Sequence, residues 1–150
     1  MFRIRRVYDD VTPTNKEAIT QVQKILHEQF PSLSKREIAR LPKQLRNPLK
    51  YRFRAILFIA EGPARHIVGG FALLFHEPIL KFCYMDFLST ARRRTGGGIG
   101  SALYERVRTE ALNLNTIGLF FECLPDNPRL SHDPEIRKQN AKRLRFFERH

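Results

Sequence analysis

Hydrophobic and polar residues follow one another in two kinds of pattern near the start of the chain. Residues 1–9 alternate apolar positions with arginines, which predicts a strand with one solvated face. Apolar residues then recur at spacings of three and four from Ile19 to Phe30, the period of an amphipathic helix. Thr12 or Thr14 would cap this helix at its N-terminus. A first strand and a first helix are therefore predicted.

The middle of the chain predicts a shorter helix and three strands. Ser34 and Glu37 have the spacing of a capping box, Pro42 interrupts the helix that they open, and Pro48 ends it. Three strand-like runs follow, at residues 52–62, 65–78 and 79–91. Only "GPA" separates the first two runs, so they are expected to form an antiparallel hairpin.

The last third of the chain predicts a helix, a strand and a final helix. An apolar stripe runs from Leu103 to Leu114 after a glycine-rich turn, and it predicts a helix of about four to five turns. Residues 116–125 are almost continuously apolar, which is typical of a strand buried on both faces. The last helix is expected to begin at Pro134.

Composition and charge restrict the class of protein. The chain has 150 residues and is 42% hydrophobic, enough for one core, so a single domain is expected. A net charge of +12 favours partners that carry phosphate. Cys83 and Cys123 lie in apolar runs and are expected to be buried thiols rather than metal ligands. No apolar run approaches the length of a membrane span and no signal peptide is evident, which predicts a cytoplasmic protein without a membrane partner.

The glycine-rich turn is the segment with the clearest chemistry. It lies within "ARRRTGGGIGSALY", residues 91–104, between a predicted strand and a predicted helix. Unpaired N–H groups and the helix dipole converge at such a turn, and glycine lets an anion approach the backbone. No Gly-Lys pair exists in the chain, which excludes a P-loop. Ser101 and Leu103 occupy the positions where a dinucleotide fingerprint would need its last glycine.

The remaining interpretation is an acyl-coenzyme A loop. "GGGIGSALYERV" resembles the pyrophosphate-binding loop of the GCN5-related N-acetyltransferase family, with Gly98 and Gly100 at its final Gly-x-Gly. The order of the elements before the loop also resembles that family. Near the end of the chain, "NAKRLRFFERH" resembles the family's late helix, with Asn140 at its asparagine and Phe147 at its usual tyrosine.

The resemblance implies a fold. It is the α/β (α+β) fold of this family, a mixed and mostly antiparallel central sheet with helices on both faces. The last strands of the family's domain have no counterpart here. We therefore expect residues 1–150 to form a single domain that is shortened at its C-terminal strands or is the N-terminal part of a longer protein. A homodimer or a missing C-terminal segment would complete the sheet.

The resemblance also implies an activity and a set of site residues. The expected enzyme is an acyltransferase that moves an acetyl group from acetyl-CoA to a primary amine by direct attack in a ternary complex, without a metal. The candidates for the base are Glu122, whose burial would raise its pKa, then Asp86, then Glu77. The residues expected to bind the cofactor are Leu88, Thr90, Arg93, Arg94, Gly96, Gly97, Gly98, Gly100, Ser101, Asn140 and Phe147.

Three positions depart from the family's pattern. Thr95 stands where the loop usually has Arg or Gln, and Arg143 stands where a small residue is usual. Phe147 has no hydroxyl, so Tyr84, Tyr104 or water would have to protonate the leaving thiolate.

The alternative to an enzyme is a non-catalytic domain that binds acyl-CoA or nucleic acid. A nucleic-acid binder would use the basic segment 35–54 with its interleaved Tyr51 and Phe53. A nucleic-acid partner is not favoured, because the loop, its flanking strand and helix, and Asn140 all agree with the transferase.

Overall fold

The chain folds into two compact units. The structure is a computed structural model, and it describes residues 1–92 and 97–150. The first unit is Met1–Phe120 and the second is Phe121–His150. The prediction of a single domain stays a prediction.

The first unit contains a sheet and four helices within its described part. Its elements are β1 (Arg3–Val7), α1 (Pro13–Gln29), α2 (Lys35–Ala39), α3 (Leu41–Arg46), β2 (Arg54–Glu61), β3 (Val68–Glu77), β4 (Phe82–Thr90), α4 (Ile99–Asn113) and β5 (Leu119–Phe120). The strands lie in the order β1-β2-β3-β4-β5. Neighbouring strands are antiparallel except for the parallel pair β4 and β5. The predicted mixed, mostly antiparallel sheet is confirmed.

Helices cover both faces of this sheet. Successive side chains of a strand point to opposite faces, so Leu57 and Phe58 of β2 belong to different layers. Leu57 belongs to the apolar cluster that α1 and α3 cover. Phe58 lies below α4, where the Arg106 guanidinium stands 4.9 Å from the centre of its ring. The fully buried Phe58 and Leu57 show that the sheet is the middle layer of the unit.

The helices of the first unit begin where their capping residues predicted. The Thr12 side chain accepts a hydrogen bond from the Asn15 N–H at the start of α1. At the start of α2, the Ser34 hydroxyl accepts from the Glu37 N–H, and the Glu37 carboxylate accepts from the Ser34 N–H. The predicted interruption near Pro42 corresponds to the junction between α2 and α3 at Arg40. The dihedral angles of Arg40 are themselves helical, so the two helices follow one another directly.

The fifth strand is the largest departure from the prediction. Residues 116–125 were expected to form a strand buried on both faces, but β5 contains only Leu119 and Phe120. Phe120 is 53% exposed. The apolar run is therefore wrongly predicted as a core strand, because β5 pairs with β4 alone and residues 121–127 have no regular secondary structure.

The second unit is built around one helix, α5 (Pro134–Arg149). Pro134 occupies the first turn as predicted, and the Asp133 carboxylate caps it by accepting the Glu135 N–H. The rings of Phe121 and Phe147 lie 4.4 Å apart, so the start of the unit contacts its helix. None of the helices in the described ranges is long and apolar enough to span a bilayer.

Candidate functional site

The open edge of β4 is the main feature of the candidate site. The parallel strand β5 pairs with β4 only at Cys83 and Tyr84. β4 itself continues to Thr90, still paired with β3 on its other side. In the described part of the first unit, β4 beyond Tyr84 therefore has no strand paired with it on this side, and a sheet edge of this kind can bind an extended ligand as an added strand.

A bulge in β4 lies where this edge begins. Leu73 of β3 pairs with Phe87, whereas Leu74 pairs with Met85, so Asp86 is the extra residue of β4. A bulge bends its strand and increases the local twist, and bulges are frequent beside active sites. Asp86 is exposed at this bend. The sequence carries no signal for it, since neither glycine nor proline interrupts residues 82–90.

The direction of the backbone groups at the edge follows from the pairing with β3. The Ala91 N–H donates to the Gly69 carbonyl oxygen at 2.9 Å. In an antiparallel pair, alternate residues direct their N–H and C=O groups to the partner strand. Leu88 and Thr90 are out of phase with Ala91, so their backbone groups point away from β3. The geometry thus turns both predicted pantetheine-binding positions toward the open edge.

The N-terminus of α4 is the second part of the candidate site. Gly98 caps the helix with a φ of 77°, in the left-handed region that favours glycine. The first helical hydrogen bond runs from the Ala102 N–H to the Gly98 carbonyl, so the Ile99 and Gly100 N–H groups precede the helical hydrogen-bond ladder. No side chain of residues 1–92 or 97–150 caps this terminus, and its first turn holds no acidic residue.

The surroundings of Gly98 leave room for a ligand. A Cβ atom added at Gly97 or Gly98 would meet no described heavy atom within 4 Å. The helix itself is fixed from below, because Ile99 and Leu103 are buried against β3. A rigid helix with an accessible N-terminus can hold an anion by its dipole and its N–H groups. Gly100 and Ser101, the other predicted residues of this turn, are half-buried in the first turn of α4.

Three predicted cofactor residues lie outside the described residues. They are Arg93, Arg94 and Gly96. Their assignment stays a prediction that follows from the resemblance of the loop.

The remaining predicted site residues lie in the second unit. Glu122 is exposed, so the expected burial, which was the reason for a raised pKa, is wrong. The cause is the short β5, which ends before Glu122 and leaves it outside the sheet. Asn140 is buried and its side-chain amide donates to the Pro125 carbonyl oxygen at 2.9 Å. This contact, and that of Phe147 with Phe121, hold the second unit together.

Glu77 and His76, at the end of β3, are buried rather than accessible to a substrate. Glu77, the third candidate for the base, is buried, and its carboxylate accepts the Ile79 and Leu80 N–H groups of the β3–β4 turn. His76 lies in β3 and is buried. Burial, followed by the positive charge of Arg54, lowers its pKa.

The two thiols differ in environment. Cys83 is fully buried, and burial, with the negative charge of Glu110, raises its pKa to about 11. Burial also raises the pKa of Cys123, which is half-buried. Neither thiol is activated as a nucleophile would be, since an activated thiol has a lowered pKa.

Comparison with known proteins gives matches in structure alone. No protein-family model matches the chain, and no curated protein matches its sequence.

Among the matching solved structures is GCN5 from Tetrahymena, with a TM-score of 0.64 and 17% identity, over 81% of this chain and 69% of that chain. Ribosomal-protein-alanine N-acetyltransferase from Brucella melitensis matches with a TM-score of 0.59 and 16% identity, over 93% and 86%. An acetyltransferase from Trypanosoma brucei matches with a TM-score of 0.60 and 13% identity, over 81% and 82%. Likeness at these identities establishes the fold.

Proposed function

We propose that this chain, whose fold is that of the GCN5-related N-acetyltransferases, transfers an acetyl group from acetyl-CoA to a primary amine. The observation that carries the proposal is the open edge of β4, which leads from the bulge at Asp86 toward the turn before α4. Solved structures with this fold include three acetyltransferases: a GCN5, a ribosomal-protein-alanine N-acetyltransferase and a trypanosomal acetyltransferase.

The cofactor would lie along β4 and end at α4. The pantetheine arm would hydrogen-bond the backbone of Leu88 and Thr90, as an added strand does. The pyrophosphate would accept hydrogen bonds from the N–H groups at the start of α4, next to Gly98. Arg93 and Arg94 would add positive charge by sequence proximity. Coenzyme A carries several phosphate charges, so the excess of basic residues favours its binding.

The chemistry would be a direct acyl transfer. The neutral amine nitrogen attacks the thioester carbonyl carbon, and an oxyanion forms that the Leu88 N–H would stabilise by a hydrogen bond. The C–S bond then breaks, the amide forms, and coenzyme A leaves as a thiolate that takes up a proton. No acyl-enzyme is required, consistent with the raised pKa of the buried Cys83 thiol.

Asp86 is the better-supported base of the two predicted candidates. It is exposed at the bulge, two residues before Leu88, whose backbone faces the open edge. A carboxylate there would take the proton that the substrate's ammonium group must lose to become the attacking neutral amine, directly or through water. Glu122 stays a prediction.

Asp86→Asn should lower kcat by roughly 10²-fold or more if Asp86 is the base. Acetyl-CoA affinity should be unchanged, and Glu122→Gln is the parallel variant.

The first experiment is a calorimetric titration of the protein with acetyl-CoA. Gly98→Asp and Gly98→Asn form a matched pair, because both side chains tolerate a positive φ and both can cap a helix. They differ in charge. The Asp variant should bind acetyl-CoA at least about tenfold more weakly than the Asn variant, because its carboxylate repels the pyrophosphate.

The outcomes separate the two classes of function. Equal affinities of the Asp and Asn variants would place the pyrophosphate away from α4 and contradict the proposed site. Binding without release of free thiol in the presence of any amine tested would leave a non-catalytic acyl-CoA-binding protein. Thiol release that depends on an amine would establish the transferase.

A further inference from the structure

The segment from Lys35 to Arg54 accounts for more than half of the chain's net positive charge. Eight of its twenty residues are Lys or Arg, and Glu37 is its one acidic residue. This segment thus supplies a net charge of +7, against +12 for the whole chain. All eight basic residues are exposed. None of them is among the residues proposed to contact acetyl-CoA, so contacts with the cofactor do not explain why this charge is concentrated here.

Three of these cations form a stripe along α2 and α3, which we call the basic stripe: Arg36, Arg40 and Lys43. They are spaced by four and three residues, and helical dihedral angles at Arg40 carry the helical path from α2 into α3. Leu41 and Leu45 are buried in the core, on the opposite side of the helix. The basic stripe therefore faces solvent along its length.

The basic stripe has no internal neutralisation. Within residues 1–92 and 97–150, no carboxylate forms an ion pair with Arg36, Arg40 or Lys43, whereas Arg46 pairs with Asp10 at 2.6 Å. The Glu37 carboxylate is engaged by the Ser34 N–H at 2.8 Å. Like charges at such spacings destabilise a helix. The basic stripe therefore lowers the stability of α2 and α3 in the free protein, and an anionic partner would relieve this repulsion.

The spacing of the stripe matches a nucleic-acid strand. At 1.5 Å per residue, Arg36 and Lys43 are about 10 Å apart along the helix axis. Successive phosphates of a nucleic-acid strand lie closer together than the two ends of this stripe, so the three cations can contact more than one phosphate of the same strand. The chain after α3 adds Lys50 and Arg52 on either side of Tyr51, which is half-buried and lacks a ring contact with any described residue. An aromatic ring between cations is the arrangement that stacks an unpaired base.

We propose that the basic stripe, with Tyr51, binds the phosphate backbone of a single-stranded nucleic acid. Guanidinium groups bind phosphate by paired hydrogen bonds, and the ring of Tyr51 stacks on one base. An acidic protein offers matching charge but no base for Tyr51. The earlier expectation against nucleic acid rested on assigning the charge to coenzyme A, whereas the basic stripe is a separate set of residues.

The test is fluorescence anisotropy with a labelled single-stranded RNA of mixed sequence, about 20 nucleotides long, over a range of salt concentrations. The variant R36E/R40E/K43E removes the stripe. Its control is K138E/K142E/R145E on α5, which has the same spacing of four and three exposed residues and the same change of net charge. R36Q/R40Q/K43Q tests neutralisation without adding acidic side chains to α2 and α3.

The stripe variant should bind the RNA at least about tenfold more weakly than wild type, and its log–log salt slope should be smaller by about 2. The α5 control should retain most of the affinity.

Tyr51→Ala should weaken binding by at least about fivefold, whereas Tyr51→Phe should not. Acetyl-CoA binding should be unchanged in all these variants, so loss of RNA binding is distinguishable from failure of the proposed acetyl-CoA site.

Several results would overturn the proposal. Equal losses in the stripe variant and the α5 control would show that net charge alone attracts RNA. Polyglutamate and unlabelled RNA can be compared as competitors at equal concentrations of negative charge. If polyglutamate displaced the labelled RNA as well as unlabelled RNA does, the partner would be an acidic protein. A duplex that binds as tightly as the single strand, together with an unaffected Tyr51→Ala variant, would reject the single-stranded ligand.

Discussion

Gly70 shows how one residue can decide whether a helix fits on a sheet. Its backbone in β3 lies below α4, and an added Cβ would stand 2.8 Å from the Ile99 Cγ2 atom and 2.9 Å from the Ser89 carbonyl oxygen. The second contact involves backbone and cannot be relieved by a rotamer change. Because Ile99 begins α4, Gly70 controls how closely the proposed anion-binding terminus approaches β4.

Gly70→Ala should therefore destabilise the protein by about 1–3 kcal/mol, the usual effect of overpacking. Urea unfolding would measure it. Gly62→Ala is the matched control, because a Cβ there meets no described atom nearer than 3.9 Å. If Gly70→Ala were as stable as Gly62→Ala, α4 would be able to shift away from β3 without lowering the free energy of unfolding.

Glu61 is a buried charge that stabilises the end of β2. Its side chain is fully buried, and its carboxylate contacts Arg3 at 2.8 Å and Arg5 at 2.9 Å across the strand pair. Burial opposes its ionisation, but the hydrogen bonds and charges of Arg3 and Arg5 outweigh burial and lower its pKa. The His66 ring lies 3.7 Å from the other carboxylate oxygen.

The lowered pKa of Glu61 determines how the stability of the fold depends on pH. The unfolded chain binds a proton at Glu61 more readily than the folded chain does, so the contribution of Glu61 is complete above pH 4.5, the ordinary pKa. The contribution is lost as the pH falls through the folded pKa. Glu61→Gln should be less stable than wild type by about 1–3 kcal/mol at pH 7, and the difference should shrink below pH 4.5.

Chemical unfolding at a series of pH values would measure this difference. Glu28→Gln is the control, since Glu28 is exposed on α1. A difference between Glu61→Gln and wild type that stays constant down to pH 2 would show that the carboxylate charge does not stabilise the fold.

At the scale of elements, β4 combines a paired side and an open side. Ser89 and Ala91 face β3, whereas Leu88 and Thr90 direct their N–H groups to the open edge. Amide hydrogen exchange measured by NMR should therefore alternate along this part of β4. Leu88 and Thr90 should exchange at least about tenfold faster than their neighbours in the free protein.

Acetyl-CoA should slow exchange at Leu88 and Thr90 if the pantetheine arm hydrogen-bonds this edge. Ser89 and Ala91 serve as internal controls, because their partners on β3 do not change. Uniform exchange along β4 in the free protein would contradict the alternation, and unaltered exchange with saturating cofactor would contradict the proposed position of pantetheine.

The elements also show which features of the chain are predictable from sequence. Helix boundaries followed from local signals, such as Thr12 and the Ser34–Glu37 pair, because caps act within a few residues. The bulge at Asp86 was not predictable, since it arises from the pairing of β4 with β3. Glu61 was missed for a similar reason: its partners Arg3 and Arg5 lie more than fifty residues away.

The short β5 illustrates a different limit. The apolar character of residues 116–125 favours burial, but a strand also needs a neighbour to pair with, and β4 supplies one only at Cys83 and Tyr84. Apolarity predicts that a segment avoids water without specifying its partner. The start of α4 was better predicted, because glycine, which favours the left-handed cap seen at Gly98, acts locally.

At the scale of the whole molecule, the two units differ in how much core supports their helices. α4 in the first unit buries four apolar side chains: Ile99, Leu103, Val107 and Ala111. In α5 of the second unit, the one buried residue is Asn140. Since tertiary packing supplies most of the stability of a helix in a protein, α5 should open more readily than α4.

Hydrogen exchange followed by mass spectrometry would measure this difference between the two helices. Peptides from α5 should exchange at least about tenfold faster than peptides from α4, with protection in α5 strongest around Asn140. Asn140→Ala should accelerate exchange in α5 and leave α4 unchanged, because it removes the hydrogen bond to the Pro125 carbonyl. Ala141→Ser is a control on the same helix. Equal protection of α4 and α5 in the wild-type protein would show that the two units unfold as one cooperative body.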